Sequence, residues 1–270
     1  MAEEIYAGPV GEMRAVSTAD GGTALTSTAV LIPLLQKTDH HILTPRNFAG
    51  GATVAKLHRN PFLIVLITRD SNGELLDKSN VAQDAGDAGT INLSSFPTLA
   101  NGGAIYIGSH VPFRGVYVDG TAFNGTASTL TVEYWNGVAW VTITPSDGSA
   151  SAGATFGQDG AVTWTVPTSW ATGELAKMLG IDSKKTGQAQ TPIYWTRWTV
   201  SAAFDSSTTV ANLLSMNRST AYSEWIAGQA WEEDMLWGPG GFGCIEALVN
   251  AGTANLIVND GVKGNGGKFP

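Results

Sequence analysis

The chain has 270 residues, 43% of them hydrophobic and only 14% charged, where an ordinary soluble domain carries about 25% charged residues. A formal net charge of −8, with no run of Lys and Arg, excludes a basic nucleic-acid groove. The single cysteine, Cys244, excludes an intrachain disulfide, and the longest aliphatic run, Phe62 to Ile67, is far too short for a membrane span.

The N-terminus, MAEEIYAGPVGEM, is acidic and lacks the apolar stretch of a secretory signal, so the expectation is a soluble protein made in a cytoplasm. Residues 1–28 are small and polar without a sustained period, and read as an extended arm. Val30 to Leu35 is a strand, and His41 to Thr44 opens another. Phe62 to Thr68 is continuously apolar, as in a strand buried on both faces, with Asn60-Pro61 marking an edge or break before it. Asp70 to Asn101 is rich in loops, with one short strand at Thr90 to Leu93.

From Ala104 to Val200 strands and turns alternate densely: AIYIGS, FRGVYVD, STLTVEYW, VAWVTIT, AVTWTV and IYWTRWTV, at spacings typical of a sandwich or barrel. SWATGELAKMLG is the one helical segment in this block, with Gly180 as its stop. Residues 219–237 fit either a helix or two strands. Ile245 to Asn250 and Thr253 to Asn259 read as a closing hairpin around an Ala-Gly turn. No repeat of 20–50 residues appears, which excludes solenoids and propellers.

The segment VEYWNGVAWVTIT, Val132 to Thr144, carries the functional question. Taking Asn136-Gly137 as a two-residue turn sets Trp135 opposite Val138. Alternation then collects Leu130, Val132, Tyr134, Ala139, Val141 and Ile143 on one apolar face, which must be the core face. Trp135 and Trp140 fall on the other face, among threonines and Glu133. Two outward indoles make an apolar patch large enough to mark an interaction site. Three things can cover it: another segment of the same chain, another protein subunit, or a sugar ring stacked on the indoles. In IYWTRWTV, Tyr194, Thr196, Trp198 and Val200 share one face, while Ile193, Trp195, Arg197 and Thr199 share the other. Arg197 is placed to stack on a neighbouring indole. Trp135, Trp140, Glu133, Trp195 and Arg197 are therefore the candidate interaction residues.

Catalytic and metal signatures are missing from the sequence. His40 and His41 point to opposite faces of a strand, and with His58 and His110 form no HExxH; no CxxC or GxSxG elbow occurs. The tail GVKGNGGKFP lacks phosphate-loop spacing. DSNGELLD, Asp70 to Asp77, faintly suggests a calcium turn but lacks the full twelve-residue ligand set, so a polar hairpin turn is the preferred reading; Glu232, Glu233 and Asp234 form an acidic cluster that reads as a solvated face, with a bound cation as the alternative. The expectation is a non-enzyme without cofactor or metal.

The order PFRGVYVD, STLTVEYWNGVAWV, a Gly-rich turn, GAVTWTVPTSW and IYWTRWTVSA resembles a β-sandwich module of tailed-bacteriophage virion structural proteins, over residues 113–203. The resemblance rests on YWNGxxW, WxxPxxW and YWxRW. It implies a structural role in the virion, assembled in the bacterial host cytoplasm; capsid decoration, head-fibre and tail proteins all carry such modules.

The expected fold is mainly β: an antiparallel β-sandwich, jelly-roll or Ig-like, at 104–204. It is inserted in a discontinuous β base domain formed by 29–103 and 205–270, with the arm at 1–28. The expected function is a phage head accessory protein, a decoration or cement protein binding the major capsid protein or other virion proteins. It is expected to be a homo-oligomer, a trimer as first guess, binding neither nucleic acid nor membrane. The alternatives are a tail, baseplate or fibre-attachment component, and a carbohydrate-binding module whose partner is a glycan.

Overall fold

The computed structural model describes residues 23–33, 40–69, 74–83, 89–181, 187–219, 221–226, 229, 231–234 and 242–261. The chain is mainly β, and its strand ladders are antiparallel. They form four sheets, which pack as two pairs.

The larger pair is the sandwich. Its seven-stranded sheet runs β11 (Trp140–Ile143), β10 (Leu130–Trp135), β15 (Pro192–Val200), β8 (Gly103–Ser109), β5 (Ile64–Arg69) and β6 (Leu75–Asp77), with β14 (Thr172–Glu174) also on β15. Facing it is a five-stranded sheet: β12 (Ser146–Asp147), β13 (Gly160–Thr163), β9 (Phe113–Ala122), β16 (Thr209–Asn217) and β7 (Ile91–Asn92). Between them lies an aromatic core that includes Phe96, Phe113, Phe156, Trp164, Trp170, Trp198 and Phe204. The rings meet edge-on or tilted, as the ring quadrupole favours, with Trp164 and Trp198 at 6.1 Å and Phe113 and Trp170 at 5.1 Å.

The smaller pair is the base. One sheet runs β1 (Thr23–Leu25), β20 (Thr253–Gly261), β3 (His40–Ala49) and β18 (Trp231–Asp234). The other runs β17 (Ser223–Ile226), β4 (Val54–Pro61), β19 (Phe242–Val249) and β2 (Val30–Pro33). Leu25, Leu43, Ala254 and Leu256 of the first sheet pack on Ile32, Ala55, Leu57, Ile245 and Ala247 of the second.

Strand membership moves the expected boundaries outward. β5, β6 and β7 precede residue 104 and β16 follows 204, yet all belong to the sandwich sheets. The reason is the continuous apolar run: Leu63, Val65 and Ile67 face the aromatic core, while Ile64 and Leu66 face a second cluster on the opposite side. Such a strand belongs inside a sheet covered on both faces. Asn60-Pro61 marks where the chain leaves β4 of the base for the sandwich. Residues 23–25 of the expected arm form β1 against β20, and residues 1–22 lie outside the described residues.

Two local expectations change. Residues 223–226 and 231–234 are both strands, so the segment 219–237 takes its two-strand form. The closing hairpin is not one: β19 pairs with β4 and β2, while β20 pairs with β3 and β1. The chain arches from one base sheet to the other, so Ile245, Ala247 and Val249 face Ala254 and Leu256 across the base core. Asn250 fixes the arch, its side chain accepting from the amides of Thr53 and Val54 at 3.0 and 3.1 Å.

Candidate interaction surface

The hairpin β10–β11 keeps its expected faces but not its expected turn. Asn136 Oδ1 accepts from the amides of Val138 and Ala139 at 2.9 and 2.8 Å, an Asx-type closure. Those amides are thereby lost to the ladder, and the last cross-strand pair is Trp135 with Trp140. The register moves by two residues, so side-chain parity is preserved. Val132, Tyr134 and Ile143 enter the aromatic core with Val141 packed against it, whereas Ala139 sits exposed in the turn.

Trp135 and Trp140 are directly opposed on the outer face, edge to face with centroids 5.6 Å apart. On the adjoining strand Arg197 lies beside Trp140, its guanidinium carbon 5.1 Å from the ring centroid. Glu133, opposite Arg197 in the ladder, accepts from Arg197 Nε at 2.6 Å. Both charged side chains are mostly covered, 19% and 15% exposed, which keeps the pair in place. Tyr106 on β8 extends the row of rings, 5.9 Å from Trp140.

Trp195 shares this face but not this exposure. The helix α2 (Leu175–Leu179) and the turn Gly187–Gln190 lie over it with Leu175, Ala176 and Ala189, and it is 0% exposed. As an expected interaction residue it is therefore corrected: it is core within the monomer. The helix is shorter than SWATGELAKMLG implied, because Trp170 is drawn into the aromatic core and residues 172–174 join β15 as β14. Gly180, at φ 65°, ends it as expected. Gly173 makes room for both neighbours: a Cβ there would lie 2.1 Å from Met178 Cε and 3.1 Å from Trp135 Nε1.

Hydrogen bonding separates the tryptophans the same way. The indole N–H of buried Trp164 donates to Phe113 O at 3.0 Å, Trp170 to Trp195 O at 3.1 Å, Trp195 to Gly173 O at 2.9 Å and Trp198 to Thr196 Oγ1 at 3.0 Å. Trp135 and Trp140 are only partly covered, and their N–H groups have no acceptor among the described residues.

Compared with known proteins, the chain matches no protein family, no curated protein and no solved structure.

A second polar cluster lies at the seam between base and sandwich. Arg114 of β9 donates from Nη2 to both oxygens of Glu246 on β19 at 3.0 Å, and Tyr222 donates to the same carboxylate at 2.6 Å. Burial and the adjoining carboxylate push the Tyr222 phenol up to about 12. His58 stands edge-on to Tyr222 at 5.4 Å, and burial holds its imidazole below the ordinary value. Glu246 is 2% exposed with its charge met by Arg114, which suits a structural ion pair rather than a proton-transfer group. These four residues come from stretches far apart in sequence. Their one visible signal is Glu246 itself, a lone acid inside the apolar run CIEALV.

Among the described residues no group of three or more His, Cys, Asp or Glu could hold a metal ion, and no helix is long and apolar enough to cross a membrane. The side chains of His40, His41, Glu232, Glu233 and Asp234 lie outside the described residues.

Proposed function

We propose that the chain is a structural protein of a tailed-bacteriophage virion that works by non-covalent attachment, most directly as a decoration protein of the head. The base and arm hold the particle while the sandwich projects, and the outer-face indoles bury against a neighbouring subunit. The observation that carries this reading is the Trp135–Trp140 pair, half-buried, with N–H groups that meet no acceptor among the described residues. Partly covered aromatics with an open polar handle are the residues that interfaces favour. The neighbours are the major capsid protein and further copies of this chain, a trimer being the first arrangement to test. Resemblance of 113–203 to the virion sandwich module supports the assignment. The experiment is rebinding: purified chain added to heads stripped of it should co-sediment and raise their melting temperature. Co-sedimentation with tails alone would transfer the role to a tail, baseplate or fibre-attachment component.

One observation favours a second reading. Paired indoles flanked by Glu133 and Arg197 combine a ring platform with charged hydrogen-bonding groups, the chemistry that holds a sugar. A glycan-binding module would show indole fluorescence quenched by a polysaccharide in the wild type and not in Trp135→Ala. No response across a broad glycan panel removes this reading.

A further inference from the structure

The chain crosses from sandwich to base between β16 and β17, and side chains of both units pin the two ends of that crossing. Arg114 of β9 donates from Nη1 to Asn217 O at 2.6 Å and from Nη2 to Glu246 of β19, which also accepts from Tyr222. The Asn217 amide donates to Asn60 Oδ1 at 2.7 Å. His58 stands among these groups. It is opposite Glu246 in the β4–β19 ladder, edge-on to Tyr222, and meets Asn217 and the Ala221 backbone. It is 7% exposed, and its Nδ1 is buried without a hydrogen-bond partner. A neutral ring protonated on Nε2 puts only a lone pair at that dry position. A charged ring would put an N–H there with no acceptor, and a second cation beside Arg114. Its strand neighbour Lys56 is paired with Glu224 of β17 at 3.4 Å, and Arg218 lines a separate hollow with Val111 and Pro112. Glu246 alone attracts a charge on His58, but its oxygens already serve Arg114 and Tyr222. Burial decides, and holds the imidazole below its ordinary value of 6.5.

We propose that His58 is an acid-sensitive latch: its protonation releases the crossing between β16 and β17 and loosens the seam between base and sandwich. An opened seam returns the imidazole to water and to its ordinary value, whereas the closed seam holds it lower. The opened form therefore binds more protons as pH falls. The closed seam is fully favoured above 6.5 and loses stability as pH falls through 6.5 toward the depressed value. Histidine is the side chain whose charge ordinarily changes in that window. The latch is independent of the indole surface and of the virion reading.

The test is hydrogen–deuterium exchange of the full chain at pH 7.5 and pH 5.0, each rate divided by the intrinsic rate at that pH. Peptides covering 55–61, 215–219 and 244–247 should lose protection at the lower pH, while those covering 130–135 and 195–200 of the sandwich keep theirs. His58→Gln cannot take the charge and should hold seam protection constant between the two pH values. His58→Phe, which keeps a ring against Tyr222, should do the same. His110, just after β8, is also held low by burial, and His110→Gln should respond as the wild type does. Constant seam protection in the wild type overturns the proposal whether or not the variants fold. A wild-type response in a folded His58 variant, a response abolished by His110→Gln, or a loss shared equally by the sandwich strands overturns it as well.

Discussion

At the scale of single residues, the tryptophans on one sheet face do different work because their covers differ. Trp195 is sealed under α2 with its N–H satisfied, so Trp195→Ala opens a large cavity and should cost about 3–5 kcal/mol in urea unfolding. Trp135→Ala removes a half-covered ring and should cost well under half of that, because solvent already reaches the site. Equal losses would mean that the hairpin indoles are core and not surface. The Glu133–Arg197 pair is mostly covered, hydrogen-bonded and stacked on Trp140. A double-mutant cycle on Glu133→Gln and Arg197→Met should return a coupling of about 1 kcal/mol, and a coupling near zero would deny that the pair holds its neighbours in place. Cys244 is fully buried, and burial pushes its thiol up to about 12. The folded chain should therefore resist a thiol-specific chromogenic reagent at pH 8 and react only on unfolding.

At the scale of elements, alternation made the sheet faces legible and turn chemistry decided what it could not. Val132, Tyr134, Val141 and Ile143 point inward as their spacing required, and parity alone was enough for that. The turn was not legible from the Asn-Gly pair, because Asn136 uses its side chain to close a longer loop. The cover over Trp195 was not legible either: α2 and the Gly187–Gln190 turn pack there through tertiary contacts that no local pattern encodes. Likewise Ile245 to Asn259 has a hairpin's pattern, yet its two strands enter different sheets. The loop at Asp205 yields a prediction of its own. Asp205 accepts from the amides of Gly125, Ser207 and Thr208, and these bonds, Gly125 first, hold its carboxyl well below the usual range. A folded-state pKa below the unfolded one means that the unfolded chain binds more protons as pH drops. The stabilisation is thus complete above the ordinary value of 3.8 and fades as pH falls through the depressed one. The stability difference between wild type and Asp205→Asn, read from urea midpoints, should narrow from pH 5 to pH 2.5; a constant gap would contradict the assigned bonds.

At the scale of the whole molecule, the seam joins strands from distant parts of the chain. Ser215 on β16 donates to Pro61 O, Asn217 Nδ2 donates to Arg59 O at 2.8 Å, and Arg114 reaches across to Glu246. Glu246→Gln leaves Arg114 without its counter-charge and should cost about 3 kcal/mol, whereas replacing both by apolar residues should cost less. A doubly substituted chain weaker than Glu246→Gln would show that the pair contributes net stability. The central proposal concerns the outer-face indoles, Trp135 and Trp140, as a surface for a partner. Hydroxyl-radical footprinting of the free chain and of the chain mixed with phage particles, the partner proposed above, tests it most directly. Trp135 and Trp140 should be oxidised in the free chain and protected in the particle, with Trp195 protected in both. Equal oxidation of Trp135 and Trp140 in the two states would contradict the claim.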